Sequence, residues 1–445
     1  MAPLSIAGLQ DAYRSGRSSP VAVAEDCLAR AAATDGVFIA LTRDRALHEA
    51  AASEARWRAG RPLSPLDGIP VTWKDLFDVA GLPTTAGSRS LPQRRARSDA
   101  AAVARLARLG AVCIGKTNLS EFAFSGLGMN PWYGTPRNPR GPAQADHVCG
   151  GSSCGAAASV ALGLCAVAIG TDTSGSVRVP AAFTGLYGWK PTRAAWPMAG
   201  VRGLAPSLDA LGVIANSVED AALVHATLAV DAAAAPASEA SPLRTVIADE
   251  PLFQASEAAP RDRGLDALRR LEAQGIRVEL RSVPEFRAAA ALFEECGTLV
   301  AAEAFRRYRS LLDGPQAAGI DPLVRQRLEA ARSITAAQYR KLKRAQAQLS
   351  RSLQRQWPRT VFAFPTAPFT APRIADVAQP ERYALVNARA LHHTMLGSFL
   401  DLPGMAVPTG VDGDGLPTSL LLSAAPGNEP SLLEMCRALP SDADC

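Results

Sequence analysis

The stretch from Cys149 to Ser176 constrains this chain more than any other. It opens with Cys149-Gly-Gly-Ser-Ser-Cys-Gly155 and runs through small and apolar residues to Ile169. It closes with Gly170-Thr-Asp-Thr-Ser-Gly-Ser176. Alanines and a serine after Gly155 suit a helix packed tightly against a sheet, and Cys165–Ile169 suits a short buried strand. A helix leading away and a strand leading back return both glycine/serine loops to one end. Serine hydroxyls and free backbone N–H groups then meet there. Acyl transfer needs those two parts: a nucleophile, and donors for the oxyanion that forms when it attacks.

The rest of the composition restricts the alternatives. The chain has 445 residues, 48% of them hydrophobic and 20% charged, which is ordinary for a globular protein with a large core. Its net charge of +5 is mild for this length. Arginines cluster at Arg94, Arg95 and Arg97 and again over 325–344. No aromatic residues interleave with them, so solvated helix faces are expected and a nucleic-acid patch is not. The eight cysteines form no CxxC or zinc spacing, and Cys113, Cys165 and Cys296 lie in apolar runs as buried thiols do. The N-terminus lacks signal-peptide features, and the run Ala156–Ile169 is too short and glycine-broken to cross a bilayer. A reduced, cytoplasmic, soluble protein is expected.

Read in order, residues Ile6 to Trp57 carry a helical, amphipathic pattern. Ile69–Asp75 follows as a buried strand that ends on Lys74. Ser98-Asp99 predicts the cap of a helix running to Leu109, and Ala111–Ile114 a strand. Ser217-Val-Glu-Asp220 predicts a capped helix to Leu228. Ala229–Pro242, rich in Ala, Pro and Ser, reads as a linker or surface loop. Strand 245–248, helix 264–274 and strand 276–280 make one βαβ unit. Two long helical tracts are expected over 286–312 and 322–356. Strands are expected near 361–366, 404–409 and 416–422, and a last helix over 431–439. Alternating strands and helices place the chain in the α/β class with a parallel or mixed sheet.

Three polar residues suit the chemistry of the two loops. Lys74, at the end of an apolar strand, is a base if burial lowers its pKa from about 10.4 towards neutrality. Its competing role is an ion pair with Asp75 or Asp78. Ser176 follows the strand through a turn whose N–H groups, from Thr173, Ser174, Gly175 and Ser176, are placed to face an oxyanion; a plain turn is the alternative. Ser152 stands before the small-residue helix, where capping is its simplest role. Gly151-Ser-Ser-Cys-Gly155 also matches G-x-S-x-G, which would make Ser153 a nucleophile paired with His225, His392 or His393. No strand precedes it, as that motif requires. Gly110–Thr117 matches the phosphate-loop pattern, but its variable positions are themselves apolar strand. The five histidines show no metal spacing.

Taken together, these blocks resemble the amidase signature family. The likeness rests on Asp67-Gly-Ile-Pro-Val-Thr-Trp-Lys-Asp75, on Gly115-Lys-Thr-Asn118 with Glu121-Phe122, and on Tyr133-Gly-Thr-Pro-Arg-Asn-Pro139. It continues through Gly150–Gly155, Gly170–Ala182, Lys190-Pro-Thr192, Phe364-Pro-Thr366 and Pro403–Pro408. It implies one α/β domain over 1–445, with a twisted mixed β-sheet core surrounded by helices. The catalytic core would take about 60–228 and 360–440, and a variable helical region, about 286–356, would cover the pocket.

The resemblance also implies roles. Ser176 would form the acyl-enzyme, Ser152, after a cis peptide bond, would bridge, and Lys74 would be the base. Thr173, Ser174 and Gly175 would line the oxyanion loop, with no cofactor and no metal. The substrate would be a small-molecule amide, with a ureido or carboxybiuret type suggested by Phe399-Leu-Asp-Leu402; a homodimer stays open, and no nucleic acid or membrane partner is expected. The alternative is the glutaminase subunit of a tRNA-dependent amidotransferase. Two positions depart from the family's glycines, Cys154 and Ser174. A serine forced into glycine-like angles at 174 would cost on the order of 1 kcal/mol of strain.

Overall fold

A computed structural model describes residues 4–142, 145–229 and 243–439. The linker expected over 229–242 therefore lies almost wholly outside the described residues. Eleven strands form one sheet: β1 (Phe38–Leu41), β2 (Pro70–Lys74), β3 (Val112–Thr117), β4 (Val167–Asp172), β5 (Tyr187–Lys190), β6 (Ala210–Ala215), β7 (Thr245–Asp249), β8 (Arg277–Arg281), β9 (Val361–Pro365), β10 (Gly404–Val411) and β11 (Pro417–Ala424). Their spatial order is β1-β3-β2-β4-β6-β5-β10-β11-β9-β7-β8. β3, β2 and β4 are parallel, as are β8, β7 and β9, while the middle of the sheet is antiparallel. The sheet is mixed, continuous and covered by helices, one domain of the α/β class.

Before β2 lie α1 (Ile6–Ser15), α2 (Pro20–Ala32) and α3 (Arg43–Arg58); α4 (Ala101–Arg108) leads into β3. Ser19 caps α2 and Pro20 occupies its first turn, where a missing N–H costs nothing. α5 (Cys154–Ala161) and α6 (Arg178–Thr184) flank β4, and α7 (Val218–Leu228) begins on the cap of Ser217 as expected. α8 (Glu250–Gln254) and α9 (Ala258–Ala273) join parallel β7 and β8 into the expected βαβ unit. α10 (Pro284–Cys296), α11 (Leu299–Leu312), α12 (Pro322–Ala330) and α13 (Ala336–Gln356) follow, then α14 (Pro380–Phe399) and α15 (Glu429–Arg437).

Several boundaries differ from the sequence reading. The helical pattern of 6–57 is broken by β1, whose four residues are too few to show a period of two. Both long tracts divide, the first at Gly297, which takes a φ of 72°. Asp99 does not cap α4; Ala100 precedes that helix, and the Asp99 carboxylate binds the Arg45 guanidinium instead. The central strands β5 and β6 carry no clear period in the sequence because every residue in them is buried.

α5 fixes the site. Every residue from Cys154 to Val160 is buried. A Cβ on Gly155 would stand 2.4 Å from the Val37 carbonyl oxygen and 2.6 Å from the Asn118 nitrogen. The small-residue run is thus what lets the helix start lie directly on the end of the sheet.

Candidate active site

β2 is buried along its whole length and carries Lys74 to the end of the sheet with no exposed surface. Its Nζ donates to Ser152 Oγ at 2.7 Å, to Thr171 Oγ1 at 2.8 Å and to the Thr171 carbonyl at 3.4 Å. No carboxylate pairs with it among the described residues. Burial pushes its pKa down from 10.5 to about 7, although Cys154, Asp172 and Asp209 pull it partly back. The ion pair with Asp75 is excluded by strand geometry. Consecutive side chains leave a strand on opposite faces, and Asp75 meets Lys116 of β3 at 2.5 Å.

Ser152 follows the cis Gly151–Ser152 peptide bond and is fully buried. Its carbonyl accepts from the Ser120 amide at 3.1 Å. It does not cap α5; Ser153 occupies that position, without a side-chain cap bond. Ser153 Oγ instead turns to the Thr171 carbonyl at 3.5 Å. Its amide donates to the Ser176 carbonyl at 3.2 Å, which ties the two serine loops together as the hairpin predicts. Ser176 is 5% exposed.

Asp172 organises the second loop. Its carboxylate accepts from the amides of Gly175 (2.8 Å), Val177 (3.1 Å) and Arg178 (3.3 Å) and binds the Arg178 guanidinium at 2.9 and 2.8 Å. Burial alone would raise its pKa, yet Arg178 holds it at about 2. This corrects the expected donor set. The Gly175 N–H is already taken by Asp172, whereas the amides of Thr173, Ser174 and Ser176 have no hydrogen-bond acceptor among the described residues. Thr173 Oγ1 is anchored on Asp209 at 2.7 Å.

The glycine requirement also sits one residue further on than expected. Ser174 has no left-handed backbone, so no strain arises there. Gly175 has φ 129°, and a Cβ on it would stand 2.1 Å from Thr394 Oγ1, whose hydroxyl donates to the Ser174 carbonyl at 2.6 Å. Cys154 is a buried free thiol at the start of α5. Burial pushes its pKa up to about 12, so it stays neutral.

Ser174 and Ser176 face a pocket whose free volume is about 20 Å³, room for about one water. Phe124, Val300 of α11, Arg327 of α12 and Leu391 of α14 complete its wall. Arg327 donates to the Phe124 carbonyl and lies over the Phe124 ring, 4.2 Å from its centroid. No carboxylate pairs with it among the described residues, and burial lowers its pKa. Sequence reasoning missed Arg327, Phe124 and Thr394. Arg327 was visible only as one arginine among several on a helical tract.

The remaining candidates separate from the site. Gly110–Thr117 is largely β3 itself, and its lysine is the buried partner of Asp75, not a phosphate ligand. His225 accepts from Trp196 Nε1, and His393 Nδ1 meets the Pro365 carbonyl; neither hydrogen-bonds Ser153. Among the described residues no group of three His, Cys, Asp or Glu side chains could hold a metal ion, and no helix is long and apolar enough to cross a membrane.

A mixed sheet thus buries a hydroxyl-bound lysine beside two serine loops. The sequence model of the amidase family matches residues 22–433, and the chain belongs to that family, whose members hydrolyse C–N bonds other than peptide bonds. It is 34% identical to 2-amino-5-chloromuconic acid deaminase of Comamonas testosteroni, over 87% of this chain and 84% of that protein. It is 35% identical to one of the subunits of glutamyl-tRNA(Gln) amidotransferase from Anaeromyxobacter sp. strain K, over 93% of this chain and 91% of that protein. A crystal structure of an amidase superposes with a TM-score of 0.86 at 29% identity, over 98% of this chain and 99% of that one.

Proposed function

We propose that this protein hydrolyses the C–N bond of a small amide that carries a carboxylate, with Ser176 as nucleophile, Ser152 as bridge and Lys74 as base. The contact that carries this reading is Lys74 Nζ to Ser152 Oγ at 2.7 Å, made by a lysine with no acid partner and a pKa near neutrality. Ser176 Oγ attacks the amide carbonyl carbon and gives its proton to Ser152, which passes its own to neutral Lys74. The oxyanion forms against the free amides of Thr173, Ser174 and Ser176, held in place through Asp172 and Asp209. As the C–N bond breaks, Lys74 returns the proton through Ser152 to the leaving nitrogen, releasing ammonia or an amine. Water then attacks the acyl-Ser176 ester by the same relay and frees the acid.

Arg327 supports the carboxylate. A guanidinium in the pocket wall with no acid of its own is a receptor for one. The relative from Comamonas is named for a carboxylic acid. The core about 60–228 and 360–440 supplies the reacting groups, and the region about 286–356, which contributes Val300 and Arg327, covers the pocket. A second reading, the glutaminase component of a tRNA-dependent amidotransferase, is favoured by the relatives that belong to glutamyl-tRNA(Gln) amidotransferases. Glutamine is also a carboxylate-bearing amide.

The test is ammonia release by the isolated chain from glutamine, ureido carboxylates, other carboxylate-bearing amides and neutral amides. Turnover of the acidic substrates without a partner, a KM that Arg327→Met raises for them alone, and fluorophosphonate labelling at Ser176 support the reading. Labelling at another serine refutes it. Glutaminase activity that appears only with a partner protein and tRNA selects the second reading.

A further inference from the structure

A larger cavity, about 740 Å³, lies beside the pocket at Ser176 and is lined by Arg202, Arg307, Tyr308, Ser90 and Gln316, among others. Its size falls in the range of small-molecule sites. One of its polar groups, Arg202 Nε, is buried without a partner. Tyr308 is 3% exposed, and its Oη has only the Arg307 guanidinium beside it. Neither Arg202 nor Arg307 forms an ion pair among the described residues. Burial raises the pKa of Tyr308, and Arg307 and Arg202 are close enough to offset part of that rise. Two guanidinium groups with no acid between them repel each other, and a buried polar group such as Arg202 Nε without a partner costs about 1–3 kcal/mol. A bound oxyanion removes both costs, since guanidinium forks and a phenol O–H all donate to it.

The cavity shares no lining residue with the pocket at Ser176. Phe122 stacks on Tyr308 with ring centroids 4.1 Å apart, while Phe124, two residues on, faces the pocket at Ser176. Phe122 and Ala123 hold left-handed backbones, φ 56° and 60°, which non-glycine residues rarely adopt. Leu204 and Val300 line the Ser176 pocket, whereas Arg202 and Tyr308, on the same loop and helix, line the larger cavity.

We propose that this cavity is a second site, binding a small molecule through a carboxylate or phosphate group independently of the substrate at Ser176. The mechanism above uses none of its residues. The test is calorimetric titration of the full-length protein with malonate and, separately, with inorganic phosphate. At least one anion is expected to bind saturably, and the anion that binds identifies the headgroup. Arg307→Gln, at an exposed helix position, and Arg202→Gln should each weaken it at least tenfold, with amidase activity of Arg307→Gln unchanged. Arg327→Met should leave the binding intact. Absence of saturable binding by either anion overturns the proposal. So does binding that Arg327→Met abolishes and Arg307→Gln does not, since the anion would then occupy the substrate pocket.

Discussion

Lys74 at the end of β2 and Lys116 in β3 are neighbours in the same sheet, one register position apart, and neither side chain has any exposed surface. Lys116 points to the face that holds Asp75 and meets it at 2.5 Å, with the Pro83 carbonyl and Thr84 hydroxyl completing its shell. Lys74 points to the opposite face, where only hydroxyls and a carbonyl wait, and burial carries it to about 7. The same residue type is therefore paired with an acid in one place and bound only to hydroxyls and a carbonyl in the other, where we propose it serves as the base. The presence of an acid within reach decides between them, because an opposite charge stabilises the protonated form that burial penalises.

The largest expected effect breaks the base side of this pair. Lys74→Met should lower kcat/KM by roughly 10²–10⁴-fold, measured as ammonia release. It should leave urea stability equal or higher, because it removes a buried cation that has no acid. Near-full activity in this variant would end the assignment. Lys116→Met is the converse. It leaves Asp75 buried and unpaired, so stability should fall by about 3–5 kcal/mol, and adding Asp75→Asn should restore much of it. Equal losses in the single and double variants would mean that the pair is not what stabilises this face.

The pH dependence sharpens the contrast. Only neutral Lys74 accepts a proton, so kcat should rise with pH through about 7 and level off above it. Stability should follow the same residue. Its pKa is lower folded than unfolded, so between about 7 and 10.5 the unfolded chain binds the extra proton, and stability rises with pH across that window. Lys74→Met should flatten that rise, as read from urea midpoints. The smallest effect is expected in the oxyanion loop. Ser174→Gly should lower stability by about 0.4–1 kcal/mol and leave kcat in place, because Ser174 is not strained. A tenfold gain in kcat would show that it is.

Much of this site was legible in the chain. The apolar run before Lys74 announces a buried strand, and the hairpin from Cys149 to Ser176 announces two serine loops at one end; both features depend on neighbours in sequence. The partner of Asp75 was not legible, since Asp75 stands beside Lys74 in sequence and is paired with a lysine 41 positions later by sheet register. The proposed oxyanion donors were half legible. The turn Thr173–Ser176 was placed correctly, but the use of the Gly175 amide by Asp172 depends on how the loop curls back on its own strand. Arg327 was hidden because the pattern of α12 looks like any solvated helix.

The sequence by itself determined the fold class, the strand that ends on Lys74 and the two serine loops, because hydrophobic period, glycine and small residues act over a few positions. Tertiary structure alone decided which lysine found an acid, which glycine the loop requires, and which arginine faces Ser176. Those choices depend on distances of a few ångströms between segments that no local pattern encodes.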